Sequence, residues 1–382
     1  MYSFKRDEIV ILLGAGASVE AGIPHSEKMI SEVESLVASD PNWGKYRDLY
    51  NYIRSSIYHS DGIRGKFDRD VTYNIERLVN TLDEIAKKRE HTLYPFVGAW
   101  DPTLVEVAGR DFELIVKFRN EILRMLRGQW LTVQDYATSA GYFQKLVEFQ
   151  QDYGHPLRVF TLNYDLCVER SCAELRLGSE VRIERGFKKE TRKWDWRQFI
   201  ENPDEPNIYL YKLHGSTDWS YDQDDELTFF DDPARIADDK AAMIFGTSYK
   251  LEYRDPFLFL AYMFRQWTLE ARIIVSIGYG FGDEHINKII HEALKRDKQR
   301  ILLSISPLNQ TSQDTTNRSF VELAEGNNKR SEIAKAIGCR NHDQIKCHSQ
   351  TAREFMTHNL QIEYLANLLP SSGELFPIIS TG

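Results

Sequence analysis

Only four cysteines occur in 382 residues, Cys167, Cys172, Cys339 and Cys347, and no two of them form a CxxC pair. A four-thiolate zinc site is therefore not expected, and reduced thiols in a cytoplasmic protein are the simplest reading. No apolar run approaches the ~20 residues that a membrane span requires. The opening Met1–Glu8 lacks the apolar centre of a secretion signal and leads directly into an apolar run. Positive charge is also in short supply. Forty-eight Lys and Arg face 57 Asp and Glu, for a net charge of −9. That balance argues against a dedicated nucleic-acid binder, which needs a basic face, but leaves a local basic patch open. Internal repeats and long low-complexity segments are missing as well.

What remains is an ordinary globular composition, 42% hydrophobic and 27% charged, with enough length for a sizeable core. The most informative stretch runs from Ile9 to Pro24. Five apolar residues predict a buried strand, Gly14 and Gly16 a tight turn, and a short helix follows. Such a turn lets backbone amides approach a phosphate, and a helix N-terminus favours negative charge. A purely structural turn would use the same glycines. The dehydrogenase fingerprint is not met, because Val19 stands where its third glycine belongs.

Three further apolar runs, Arg158–Leu162, Ile273–Ile277 and Ile301–Ser306, read as parallel strands covered on both faces, and Ile208–Leu213 as a fifth. The fold class is α/β: a Rossmann-like, doubly wound parallel sheet with an inserted helical subdomain and a helical C-terminal region. Between the first two strands the pattern is helical. Asn74 is placed to cap a helix with Ile75, Leu78, Val79 and Leu82 along one side, and Phe112–Leu126 repeats the pattern. The expected organisation is a catalytic domain over 1–310, with a helical insertion near 26–150 and a second excursion near 178–240. A helical segment over 311–382 follows.

Three more motifs sit at strand ends. Thr161-Leu-Asn163-Tyr-Asp165 points a polar trio into the ligand crevice, or else forms an Asn/Asp turn capping the next helix. Lys212-Leu-His214-Gly215-Ser216 presents an imidazole suited to proton transfer near neutral pH, although a lone histidine also serves structure. Gly278-Tyr279-Gly280-Phe-Gly-Asp283 ends with an aspartate placed to cap a helix. No histidine set has metal-ligand spacing. Lys188, Lys189, Arg192, Lys193 and Arg197 alternate with Trp194 and Trp196. That pattern fits either a nucleic-acid or partner contact or a solvated loop with an aromatic anchor.

In this order, the four strand-end motifs resemble the sirtuin family. The resemblance implies a site for NAD⁺ as substrate. Gly14, Ala15, Gly16 and Ser18 would face its phosphates. Asn163 and Asp165 would hold the nicotinamide ribose and the attacking water, and His214 would be the catalytic base. Thr161, Gly215, Ser216, Gly278, Tyr279, Gly280, Asp283 and Ser306 would complete the dinucleotide contacts. Two departures matter. Sirtuin deacylases carry Asp-Phe-Arg where this chain has His25-Ser26-Glu27, and they carry a zinc module built from CxxC pairs. With those departures the chain resembles bacterial antiphage sirtuin-like effectors that hydrolyse NAD⁺, in particular those that assemble with a HerA-type hexameric ATPase. The resemblance implies NAD⁺ glycohydrolysis, a homo-oligomer and such a partner. Protein deacylation, ADP-ribosyl transfer and a non-catalytic NAD sensor are the competing readings. Cleavage of the nicotinamide–ribose bond passes through an oxocarbenium-like state. One Asn, one Asp and one His are sufficient to hold the sugar, stabilise positive charge and supply water.

Overall fold

The computed structural model describes residues 3–67, 73–88, 102–109, 112–173, 175, 181–200, 205–237, 240–245, 255–307 and 318–370. The strands are β1 (Ile9–Leu13), β2 (Leu157–Thr161), β3 (Ile183–Glu184), β4 (Ile208–Lys212), β5 (Gly215–Tyr221), β6 (Leu227–Phe229), β7 (Ala241–Met243), β8 (Ile273–Ile277), β9 (Ile301–Ile305) and β10 (Ile345–His348). Seven of them form one parallel sheet in the order β10-β9-β8-β1-β2-β4-β3. The remaining three form a small antiparallel sheet in the order β6-β5-β7.

The apolar runs become strands because each has two faces to bury. Along β1, Ile9, Ile11 and Leu13 enter one core, while Val10 and Leu12 enter the other. Strand β4 divides the same way, Ile208 and Leu210 against Tyr209 and Tyr211. Helices cover both sides, as an all-parallel sheet requires. On the first face lie Ser26–Ser39, Arg47–Ile63, Ile75–Lys88, Glu113–Met125 and Lys145–Tyr153, all between β1 and β2. On the second lie Phe257–Glu270 and Glu284–Arg296. Asn74 caps the Ile75 helix as the pattern predicts, accepting from the Arg77 amide at 3.0 Å.

Near the C-terminus, Arg318–Ile337, Ala352–His358 and Ile362–Asn367 are helical, and β10 adds an edge strand that the sequence reading lacks. Ile345-Lys-Cys-His is short and half polar, and its pairing with β9 reveals it.

Register sets the site. Leu13 pairs with Thr161 and with Ile277, and Thr161 pairs with Lys212. The loops beginning at Gly14, Leu162, Leu213 and Gly278 therefore leave the sheet at one level. From β1 the chain crosses to the β2 side, and from β8 it crosses to the β9 side. The crevice between β1 and β8 is thus the switch point at which doubly wound sheets bind ligands.

Candidate active site

The two glycine loops meet first. Gly14 N donates to Ile277 O at 2.9 Å, and Gly16 N donates to Gly278 O at 2.9 Å. A Cβ on Gly14 would lie 2.5 Å from Tyr279 Cα, and one on Gly16 would lie 2.8 Å from Gly278 Cα. Gly278 has φ +67°, and its Cβ would meet Ala17 N at 2.2 Å. The glycines are needed for loop against loop. The amides of Gly14 and Gly16 are thus engaged within the protein. The amides of Ala17 and Ser18 are engaged too, on Gly14 O and Ala15 O. The short helix expected after this turn is two 3₁₀ turns, Ala15–Ala17 and Val19–Ala21, and the first α-helix begins at Ser26. Turns this short supply little of a helix macrodipole.

The Asn/Asp motif proves to be a turn and a wall together. Asn163 N donates to Thr161 Oγ1 at 3.0 Å. Its side-chain amide donates to Gly14 O at 2.9 Å and to Ser18 Oγ at 3.0 Å, tying this loop to the first glycine loop. Asp165 Oδ1 accepts from Cys167 N at 3.0 Å and so caps the helix Cys167–Ala173. Its Oδ2 is buried on the wall of a cavity, without a hydrogen-bond partner among the described residues. Beneath it, the Lys212 ammonium donates to the Asp165 carbonyl and pairs with Glu169 at 3.0 Å. Arg185 continues the buried network, 3.5 Å from Glu169 and 2.8 Å from Asp218.

His214 is buried, with Nε2 3.1 Å from Asp283 Oδ2. The other oxygen of Asp283 accepts from the amides of His285 and Ile286, capping the helix Glu284–Arg296. One carboxylate therefore fixes both a helix start and an imidazole. The Tyr279 hydroxyl lies 2.9 Å from Asn287 Oδ1, which fixes the ring behind this loop. Burial pushes the phenols of Tyr279 and Tyr164 well above the usual tyrosine range. Tyr164 donates its hydroxyl to Ile244 O, and the Ile244 amide donates to His214 O.

These groups line a cavity of about 650 Å³. Of the expected residues, Ala15, Asn163, Asp165, His214, Gly278, Tyr279, Gly280 and Asp283 form its wall. Gly14, Gly16, Ser18, Thr161, Gly215, Ser216 and Ser306 are not on that wall. Gly215, at φ +86°, is where β5 passes β7, and a Cβ there would meet Ala242 O at 2.0 Å. Ser216 is fully buried on β5. Ser306 follows β9, one strand out from the crevice, with its amide donating to His348 O.

Ile23, Pro24, Glu27, Asn74, Ile75, Glu76 and Phe245 also line the cavity, and sequence reasoning did not assign them to the site. The Asn74 cap was legible, but not that its helix start faces the crevice. Glu27, Glu76, Asp165 and Asp283 put four carboxyl groups on the wall, and among the described lining residues there is no lysine or arginine. Of these, Asp165 and Asp283 are buried and Glu27 is exposed. Among the described residues, no cluster of three or more His, Cys, Asp or Glu is arranged to hold a metal. No helix among them is long and apolar enough to cross a membrane.

Four of the five basic residues in the tryptophan-rich run are ion-paired. Lys188 and Arg197 both meet Asp195 at 2.8 Å, Arg192 meets Asp231 at 2.6 Å, and Lys193 pairs with Glu226. Trp194 packs on Phe259, with ring centroids 5.6 Å apart. Cys167 and Cys172 are core residues, and burial raises both thiols above their usual range.

Residues 157–327 match the family model described as a SIR2-like domain. The match begins at β2. It includes the Asn163, His214 and Gly278 loops and leaves out β1 and its glycine loop. No curated protein matches the chain. Among solved structures, a Sir2 homologue mutant in complex with 2'-O-acetyl ADP ribose is 14% identical over 94% of this chain and 92% of that one, with a TM-score of 0.41. A Sir2 homolog–NAD complex is 13% identical over 94% and 90%, also with a TM-score of 0.41.

Proposed function

We propose that this chain hydrolyses NAD⁺ to nicotinamide and ADP-ribose. The observation that carries the reading is the meeting of His214, Asp283, Asn163 and Asp165 on one cavity at the switch point of the sheet. The SIR2-like match over 157–327 supports use of NAD. The cavity volume suits a ligand of this class. Asp165 and Asp283 on its wall suit the nicotinamide end of the substrate alone, where the pyridinium is cationic and the ribosyl carbon gains positive charge as the bond breaks.

In this mechanism the C1'–N bond breaks and its electron pair goes to the departing nicotinamide, which needs no acid. The Asp283 carboxylate beside Nε2 stabilises the ring of His214 when it takes up a proton, so the imidazole serves as the base. Water adds its oxygen to C1' and gives its proton to His214. Asp165 Oδ2 stabilises the cationic carbon, and the free carbonyl oxygen of the Asn163 side chain orients a ribose hydroxyl or the water. By the sequence resemblance, the activity would deplete NAD⁺ in an antiphage response, from a homo-oligomer assembled with a HerA-type ATPase. The test is incubation of the purified chain with NAD⁺, with and without that ATPase, followed by chromatography of the nucleotides. Equimolar nicotinamide and ADP-ribose support the proposal, and unchanged NAD⁺ under both conditions contradicts it.

A further inference from the structure

The C-terminal part of the chain reaches the first glycine loop through one side chain. Glu20 sits in the 3₁₀ turn Val19–Ala21, and Gly22, at φ +98°, leads from there into Ile23 and Pro24 on the cavity wall. Arg353 lies in the first turn of the helix Ala352–His358, 333 residues further along the chain. Its amide donates to Glu20 Oε2 at 2.8 Å. Its Nη2 donates to Glu20 O at 3.1 Å and to Ser139 O at 2.9 Å, and its Nε lies 3.7 Å from Glu20 Oε1. The helix is itself anchored. Thr351 and Glu354 close a capping box, and Phe355 and Met356 are buried in the core of the first face.

A second connection runs through Tyr142. The Arg353 guanidinium lies 4.9 Å from the centre of the Tyr142 ring. The buried hydroxyl of that ring donates to Ala17 O at 2.6 Å. The loop is thus held from three sides: by Gly278 through Gly16, by Asn163 through Gly14 and Ser18, and by Arg353 through Glu20 and Tyr142. The first two supports come from strand ends of the parallel sheet. The third comes from beyond residue 327, outside the segment that matches the SIR2-like domain. Within the loop, Ala21 N donates to Ser18 O, Gly22 N to Val19 O and Ile23 N to Ser18 O. Turns this short have little stability of their own. Contacts from outside therefore decide where Ala15, Ile23 and Pro24 stand on the wall.

We propose that Arg353 is a positioning residue. Through Glu20 and Tyr142 it sets residues 15–24, and with them one part of the cavity wall. A planar guanidinium serves two carbonyls and a ring face at once, which an ammonium does not. Arg353 is not on the cavity wall, so its effect falls on binding and not on the bond-breaking step. The consequence for turnover rests on the reading of that cavity as the NAD⁺ site, and the placement of the loop does not.

The test is amide hydrogen exchange of full-chain variants, with steady-state kinetics beside it. Arg353 is partly exposed, which makes it a tolerant position for substitution. Arg353→Ala should speed exchange of the Ala21, Gly22 and Ile23 amides about tenfold and leave the amides of β2 and β8 unchanged. A general loss of stability would not be confined in this way. The same variant should raise KM for NAD⁺ about fivefold, with kcat within about twofold of the parent. Arg353→Lys keeps a charge beside Glu20 but loses the fork, and should fall between the two. Unchanged exchange at the three loop amides overturns the proposal. So does a rise spread evenly over the sheet, or an unchanged KM beside an active parent. A parent that turns over no NAD⁺ contradicts the reading of the site instead, and exchange then still decides the placement of the loop.

Discussion

His214 and Asp283 come from the ends of different strands and meet at 3.1 Å, and the same carboxylate holds the start of the next helix through its other oxygen. The imidazole is therefore aimed by a rigid element rather than by a free loop. Asp283→Asn keeps the cap but no longer stabilises a protonated ring. It should lower NAD⁺ turnover about 10²-fold with little change in KM. His214→Ala should cost at least as much, and the double variant little more. Steady-state kinetics of the three checks this, and an Asp283→Asn enzyme within about twofold of the parent would contradict it.

The glycine loops give a stability prediction. Gly14→Ala forces a Cβ to within 2.5 Å of backbone across the crevice and should cost about 1–3 kcal/mol. Gly280→Ala meets nothing within 4 Å and should stay within about 0.5 kcal/mol of the parent. Urea unfolding of both variants distinguishes a packing role from a generic need for glycine.

This pair also shows what the sequence could and could not reveal. The strands were legible because Ile9–Leu13 and Ile273–Ile277 are apolar on both faces, and the level of the loops followed from their ends. The Asp165 cap and the Asp283 cap were legible as local chemistry. What could not be read was partnership across the chain. Gly14 packs on Tyr279, and Asn163 holds Gly14, each through contacts that no local pattern encodes. Glu27 and Glu76 reach the cavity from helices whose own periodicity says only which face is apolar. Strand β10 was missed because Lys346 and His348 break the apolar run.

Lys212 is fully buried beneath the Asp165 loop, paired with Glu169 and bonded to the Asp165 carbonyl. Lys212→Met should destabilise the fold by about 3 kcal/mol, because Glu169 would stay largely buried with Arg185 as its remaining cationic partner among the described residues. A loss under about 1 kcal/mol in chemical denaturation would show that the network contributes little.

Asp195 provides a pH prediction outside the site. Its bond from Arg197, with Lys188 beside it, holds the carboxyl below the usual carboxylate range despite partial burial. A depressed folded-state pKa stabilises the fold above the unfolded value, and that stabilisation is lost as pH falls through the folded value. Asp195→Asn should therefore lower stability at neutral pH and flatten the acid limb below about pH 4. Thermal unfolding between neutral pH and about pH 2 checks both features.

The central claim is that four loops build one dinucleotide site. The most direct measurement is a crystal structure of the His214→Ala chain soaked with NAD⁺. The account predicts the nicotinamide ribose between Asn163, Asp165 and position 214, with the remainder of the dinucleotide in the cavity along Gly278–Gly282. A dinucleotide bound elsewhere, or a saturating soak that leaves this cavity without it, would contradict the account.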